Sequence, residues 1–159
     1  MCCKDYKVVL SVDEYVNIVK TYGFEAGYSQ RNRLQIAKKG DNTCYFLTPL
    51  GSSCVCGLQY KKPKACKIWP FKVFATPKFG MAEQALYRYK NRDLYIYVDM
   101  ACSGLTFGTP TDDFKYRVLP EFIEVAADLR DTQIHSTSKI NVNSSRVDVK
   151  KVDFKDKTG

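Results

Sequence analysis

The chain has 159 residues, with 25 Lys plus Arg against 17 Asp plus Glu, seven cysteines and one histidine. That length fits one domain able to bury about two-thirds of its unfolded surface without disulfides, and 45% hydrophobic with 13% aromatic residues excludes a wholly disordered chain. No apolar run approaches the ~18 residues of a membrane helix, and Met1 to Lys7 holds no apolar signal segment, so a cytoplasmic location with no membrane partner is expected.

The first element begins at Ser11. Ser11-Val12-Asp13-Glu14 has the Ser-x-x-Glu pattern of a capping box, Val12, Tyr15, Val16 and Val19 recur at helical spacing, and Gly23 stops the run, so a helix is predicted over Val12 to Tyr22. Leu34 to Lys38 and Thr43 to Leu47 read as strands joined by a Lys-Gly-Asp-Asn turn. Thr48 to Lys67 is turn-rich, with Pro49, Gly51, Gly57 and Pro63 between cysteines, and suits a loop wrapped around something. Trp69 to Thr76 and Leu94 to Met100 are aromatic and β-branched enough for strands. Phe79 to Asn91 is ambiguous, with a helix as its first reading. Leu119 to Arg130 is a clearer helix, with Pro120 in its first turn and Phe122, Ile123, Ala126 and Leu129 along one face. Beyond His135 the composition shifts to Ser, Thr, Asn, Lys and alternating Val. The prediction is an α+β class: a single compact domain over 1–135 with a short sheet, two or three helices and a cysteine-rich loop region, then a basic polar tail over 136–159 that is mobile or a final edge strand.

Seven cysteines cannot form a fully paired disulfide framework, and in a reducing compartment clustered thiols are more often metal ligands or redox centres. Cys44, Cys54, Cys56, Cys66 and Cys102 lie along the chain, with Cys2 and Cys3 adjacent at its start. No Cys-x-x-Cys knuckle is present, so the fold would have to bring the thiolates together. Soft sulfur ligands suit zinc or iron–sulfur clusters over hard cations.

Three stretches carry a resemblance. Thr43-Cys44-Tyr45-Phe46-Leu47 matches a C-x-F-L segment. Cys56-Gly57-Leu58-Gln59-Tyr60-Lys61-Lys62-Pro63-Lys64-Ala65-Cys66-Lys67-Ile68-Trp69-Pro70-Phe71 matches a C-x-I-Y-x-x-R-P-x-x-C-R-x-F-P-F element, with lysines Lys62 and Lys67 in place of its arginines. Cys102-Ser103-Gly104-Leu105 with Gly108 is similar to a C-P-G-I-G-x-G segment. Together with the Cys2-Cys3 pair, residues 1 to 110 resemble the YkgJ-like cysteine-cluster family, described as zinc- or iron-chelating domains. The resemblance implies a metal-binding loop region with ligands Cys3, Cys44, Cys56, Cys66 and Cys102, Cys2 being an alternative to Cys3. It implies an iron–sulfur cluster (4Fe-4S) as the cofactor, with zinc as the alternative, in a redox, structural or accessory role. Cys54 has no counterpart in the pattern.

No nucleotide loop, zinc-protease helix or Ser/His/Asp order is visible, and the one histidine, His135, reads as a surface or capping residue. An enzyme is therefore not favoured. Flagellin lysine N-methylases resemble the family in their cysteine-rich part, but no methyl-donor motif appears here. The net charge of +8 offers a different class of function. Lys61, Lys62, Lys64 and Lys67 interleave with Tyr60 and Trp69, Arg88 and Arg92 with Tyr87 and Tyr89, and Lys150 and Lys151 lie in the tail. Such cations release counterions on phosphate contact while aromatics stack on bases, so an RNA- or ribosome-associated protein is the alternative, with a protein partner also open.

Overall fold

Ser11 opens the longest helix as its pattern requires. In the computed structural model, which describes residues 2–51, 53–58, 61–102, 104–135 and 140–142, helix α2 spans Val12–Tyr22, after a short α1 at Cys2–Asp5. The Ser11 hydroxyl accepts from the Glu14 N–H at 3.2 Å and Glu14 Oε2 accepts from the Ser11 N–H at 2.9 Å. Two helical faces were compatible with the apolar spacing. The buried one runs through Tyr15, Ile18 and Val19, and Val12, expected inside, is 67% exposed.

A hairpin follows, β1 (Gly27–Gln30) with β2 (Arg33–Ile36). Its two-residue turn, Arg31-Asn32, has φ of 48° and 61°, the left-handed pair that matches strand twist. Residues 8 to 10 lie along the other side of β2, where the Leu10 N–H donates to the Leu34 carbonyl at 2.8 Å and the Ile36 N–H to that of Val8 at 3.1 Å. The strand expected over Thr43 to Leu47 is replaced by a turn. Only a single bridge joins Lys38 to Cys44, and the true strands are β3 (Leu47–Leu50) and β4 (Ser53–Cys56). The loop expected over Thr48 to Lys67 thus contains a hairpin and a short helix, α3 (Lys64–Ile68).

The second half is more regular. Strand β5 (Phe71–Phe74) pairs with β7 (Arg92–Val98), which pairs with β6 (Leu86–Tyr89), all antiparallel. Phe79 to Asn91, first read as a helix, holds only α4 (Ala82–Ala85) before turning into β6, because Lys90-Asn91 at φ of 44° and 62° forms a second left-handed hairpin turn. Alternate residues of this sheet, Phe71, Val73, Tyr87, Tyr89, Leu94, Ile96 and Val98, face a helical arm. That arm begins with a widened π turn at Phe114–Val118 and continues as α5 (Leu119–Ala126), shorter than the run predicted to Arg130. The Lys115 carbonyl in the widened turn accepts from the Tyr87 hydroxyl at 2.9 Å. Phe122 and Ile123 are 1% and 2% exposed against Phe71, each such side chain worth about 1.5–3 kcal/mol of burial. Strand β8 (Leu105–Phe107) pairs in parallel with β9 (Ile140–Val142), inside the segment expected to be a tail or edge strand; residues 143–159 of that tail lie outside the described residues.

The molecule is therefore α+β, with two apolar clusters among the described residues of one domain. Val8, Leu10, Ile18, Ala26, Ile36, Cys44, Phe46, Leu47 and Leu58 form the first, and Phe71, Val118, Leu119, Phe122 and Ile123 the second. Helix α3 packs on α5 between them, and the Lys64 ammonium lies 2.6 Å from the Asp128 carboxylate. No helix among the described residues is long and apolar enough to cross a membrane.

Candidate metal centre

Four candidate ligands border one apolar cluster. Cys44 is part of the first cluster, and Cys3, Cys56 and Cys66 pack against it half-buried. They arrive from four separate segments: Cys3 from α1, Cys44 from the turn after β2, Cys56 from the end of β4 and Cys66 from the middle of α3.

Local chemistry fixes each segment. Asp41 accepts from the Thr43 N–H at 3.0 Å and from the Thr43 hydroxyl at 2.6 Å, an Asx turn that delivers Cys44. Those bonds from the Thr43 hydroxyl and N–H hold the Asp41 carboxyl below its ordinary value. The Cys44 N–H then donates to the Cys3 carbonyl at 2.7 Å, and its own carbonyl accepts from the Leu47 N–H at 2.9 Å. Gly57 follows Cys56 and donates to the Phe46 carbonyl at 2.8 Å; a Cβ at Gly57 would stand 3.4 Å from that oxygen. Helix α3 begins after Pro63, and Glu14 Oε1 accepts from the Lys64 N–H at 2.6 Å. One carboxylate therefore caps two helices, its own with Oε2 and the cysteine-bearing one with Oε1.

The remaining candidates lie apart from this set. Cys102 follows β7, half-buried, with its N–H donating to the Asp99 carbonyl at 3.2 Å, and it does not pack on the first cluster. Cys2 lies in α1, but its side chain falls outside the described residues, and Cys54 is exposed on β4. The candidate cations lie on two elements. Lys64 pairs with Asp128, Lys67 donates to the Asp131 carbonyl at 2.7 Å, and Arg88 pairs with Asp93 at 2.8 Å on the β6–β7 hairpin that also bears Arg92. Lys61 and Lys62 precede α3, while Lys150 and Lys151 fall outside the described residues.

Three features escaped the sequence. Trp69, 9% exposed, packs against Tyr6 with ring centroids 4.1 Å apart and planes tilted by 45°, and its Nε1 has no hydrogen-bond partner among the described residues. Glu121, 1% exposed on α5, accepts from the N–H groups of Ile134 and His135 at 2.8 Å each. The His135 Nδ1 and the Arg130 guanidinium also reach it, at 2.9 and 3.3 Å. Burial pushes this carboxyl upward, but the His135 backbone and ring and the Ile134 N–H outweigh it and hold it below its ordinary value. An acidic residue directly after Pro120 in a first helical turn gave no hint of burial. The second bond of Glu14 was equally hidden, because it spans 50 residues.

Among the described residues no three His, Cys, Asp or Glu side chains are grouped in ligating positions; as thiols, these cysteines serve as apolar packing at the edge of the core. The donor type is that of a soft metal, with four cysteines at one apolar cluster, although they form no ligating group in this structure. Compared with known proteins, the chain matches no family model, no curated protein and no solved structure.

Proposed function

We propose that the chain is a metal-binding protein in which Cys3, Cys44, Cys56 and Cys66 hold one centre, an iron–sulfur cluster (4Fe-4S) or, alternatively, zinc. The observation that carries this reading is the placement of four cysteines from four segments at a single apolar cluster. The resemblance of the Cys56 to Phe71 stretch to the cysteine-cluster family supports the same set. Bound iron and sulfide would supply one-electron chemistry, whereas zinc would make the centre structural. The chain's own part is to present thiolates at a dry edge: Phe46, Leu47 and Leu58 keep water from one side, and Asp41, Glu14 and the Cys3 carbonyl fix the approach of the segments. Cys102 stands outside this four-thiol set and is not needed to complete it.

The RNA-associated alternative has less in its support. Three of the six described candidate cations are engaged within the chain, and Arg88 and Arg92 lie on a different hairpin from the lysines around α3. Anaerobic purification followed by metal and sulfide analysis tests the proposal. A brown protein with iron and acid-labile sulfide supports the cluster, and a colourless one with about one zinc per chain supports the structural site. Cys66→Ser and Cys56→Ser should each lose nearly all bound metal; full retention in both would refute the ligand assignment.

A further inference from the structure

We infer that Cys3 and Cys44 form a redox crosslink: a hydroperoxide oxidises the pair to a disulfide that fastens α1 to the turn after β2. The inference rests on these two residues and the bonds between their segments, and it needs no metal. Neither cysteine is disulfide-bonded in this structure.

The backbone already holds the pair together. The Cys44 N–H donates to the Cys3 carbonyl at 2.7 Å. Such a bond sets the two Cα atoms about 5–6 Å apart, inside the roughly 4.4–6.8 Å that a disulfide spans. Both side chains meet the same apolar cluster, Cys44 within it and Cys3 against it, as a crosslink between them requires. A cation fastens the same joint. Lys38, bridged to Cys44 through the backbone, donates from Nζ to the Lys4 carbonyl and to the Asn42 carbonyl at 3.0 Å. Cys56 and Cys66 border the cluster too, but among the described residues no other backbone hydrogen bond joins one cysteine to another.

The difference in exposure orders the chemistry. Cys3 is half-buried and Cys44 buried, so peroxide from solvent meets Cys3 first. A positive charge near a thiol favours the thiolate, and the Lys38 ammonium supplies one at this joint. The Cys3 thiolate attacks a peroxide oxygen and breaks the O–O bond, leaving a sulfenic acid and, after protonation, water. The Cys44 sulfur then attacks the Cys3 sulfur, the S–O bond breaks and a second water leaves. In sum, two thiols and one peroxide give one disulfide and two waters, the sulfurs losing the electron pair that the peroxide gains.

The test treats the protein as purified with a slight excess of hydrogen peroxide, then maps the product by mass spectrometry. The intact mass should fall by about 2 Da, the two hydrogens lost. Trypsin cuts after Lys4, and chymotrypsin after Tyr45 separates Cys44 from Cys54 and Cys56, so the wild-type map alone identifies Cys44. Cys2→Ser should keep the link, whereas Cys3→Ser and Cys44→Ser should each lower its yield by about tenfold or more. A product without the mass loss, a different principal pairing, or a link that survives Cys3→Ser overturns the inference. Metal content is measured in the same sample beforehand. A protein that holds no metal refutes the four-cysteine centre proposed above, and a Cys3–Cys44 link formed in that same sample still supports the crosslink.

Discussion

The two halves of this domain reach order by different means. Around the second cluster, a three-stranded antiparallel sheet lays alternate residues on an apolar helix, and Glu121 gathers the chain that follows it. Around the first cluster the strands are four residues long, several joints are single bridges or turns, and cysteines occupy the border of the core. Regular elements close their own hydrogen bonds and need little else. A region built from short pieces gains most from a crosslink, and a structural metal contributes folding free energy outright. The contrast teaches that the cysteine half is where a bound metal would matter for stability.

The largest expected effect follows from that asymmetry. A strong chelator should abolish amide-exchange protection around Ile18, Ile36 and Phe46 while leaving Phe71, Ile96 and Phe122 protected. Equal loss in both halves would erase the distinction. Next comes the buried carboxylate of the second half. Glu121→Ala strands the Ile134 and His135 N–H groups and should lower stability by roughly 3 kcal/mol, measured by urea unfolding. Because the folded carboxyl lies below its ordinary value, its contribution is complete above about pH 4.3 and is lost as pH falls through the folded value. Glu121→Gln should therefore flatten the acid limb of the stability profile. The smallest effect belongs to the joint between the halves: Glu14→Gln weakens two caps and should cost about 1 kcal/mol in thermal unfolding.

What the sequence made legible follows the range of the interactions involved. The α2 boundaries were readable because the Ser11–Glu14 box and Gly23 act within one turn. Its buried face was not, since residues 12, 15, 16 and 19 and residues 15, 18, 19 and 22 keep the same spacing and only the packing of Ile18 decides. The β1–β2 and β6–β7 hairpins each carry a basic residue followed by Asn at the turn, Arg31-Asn32 and Lys90-Asn91; that signal was present, and without glycine it reads weakly. The resemblance pointed to Cys44, Cys56 and Cys66 as ligands, and the structure places all three at the first apolar cluster. The Trp69 donor, the Glu121 clasp and the second Glu14 bond depend on contacts that no local pattern encodes.

X-ray absorption at the metal edge tests the central claim most directly. Protein purified without added metal should show a first shell of sulfur, four scatterers at about 2.3 Å per metal. The shell should lose sulfur in Cys44→Ser and stay unchanged in Cys102→Ser. A first shell of only nitrogen and oxygen, or one that survives Cys44→Ser intact, would contradict a centre built on these four thiolates.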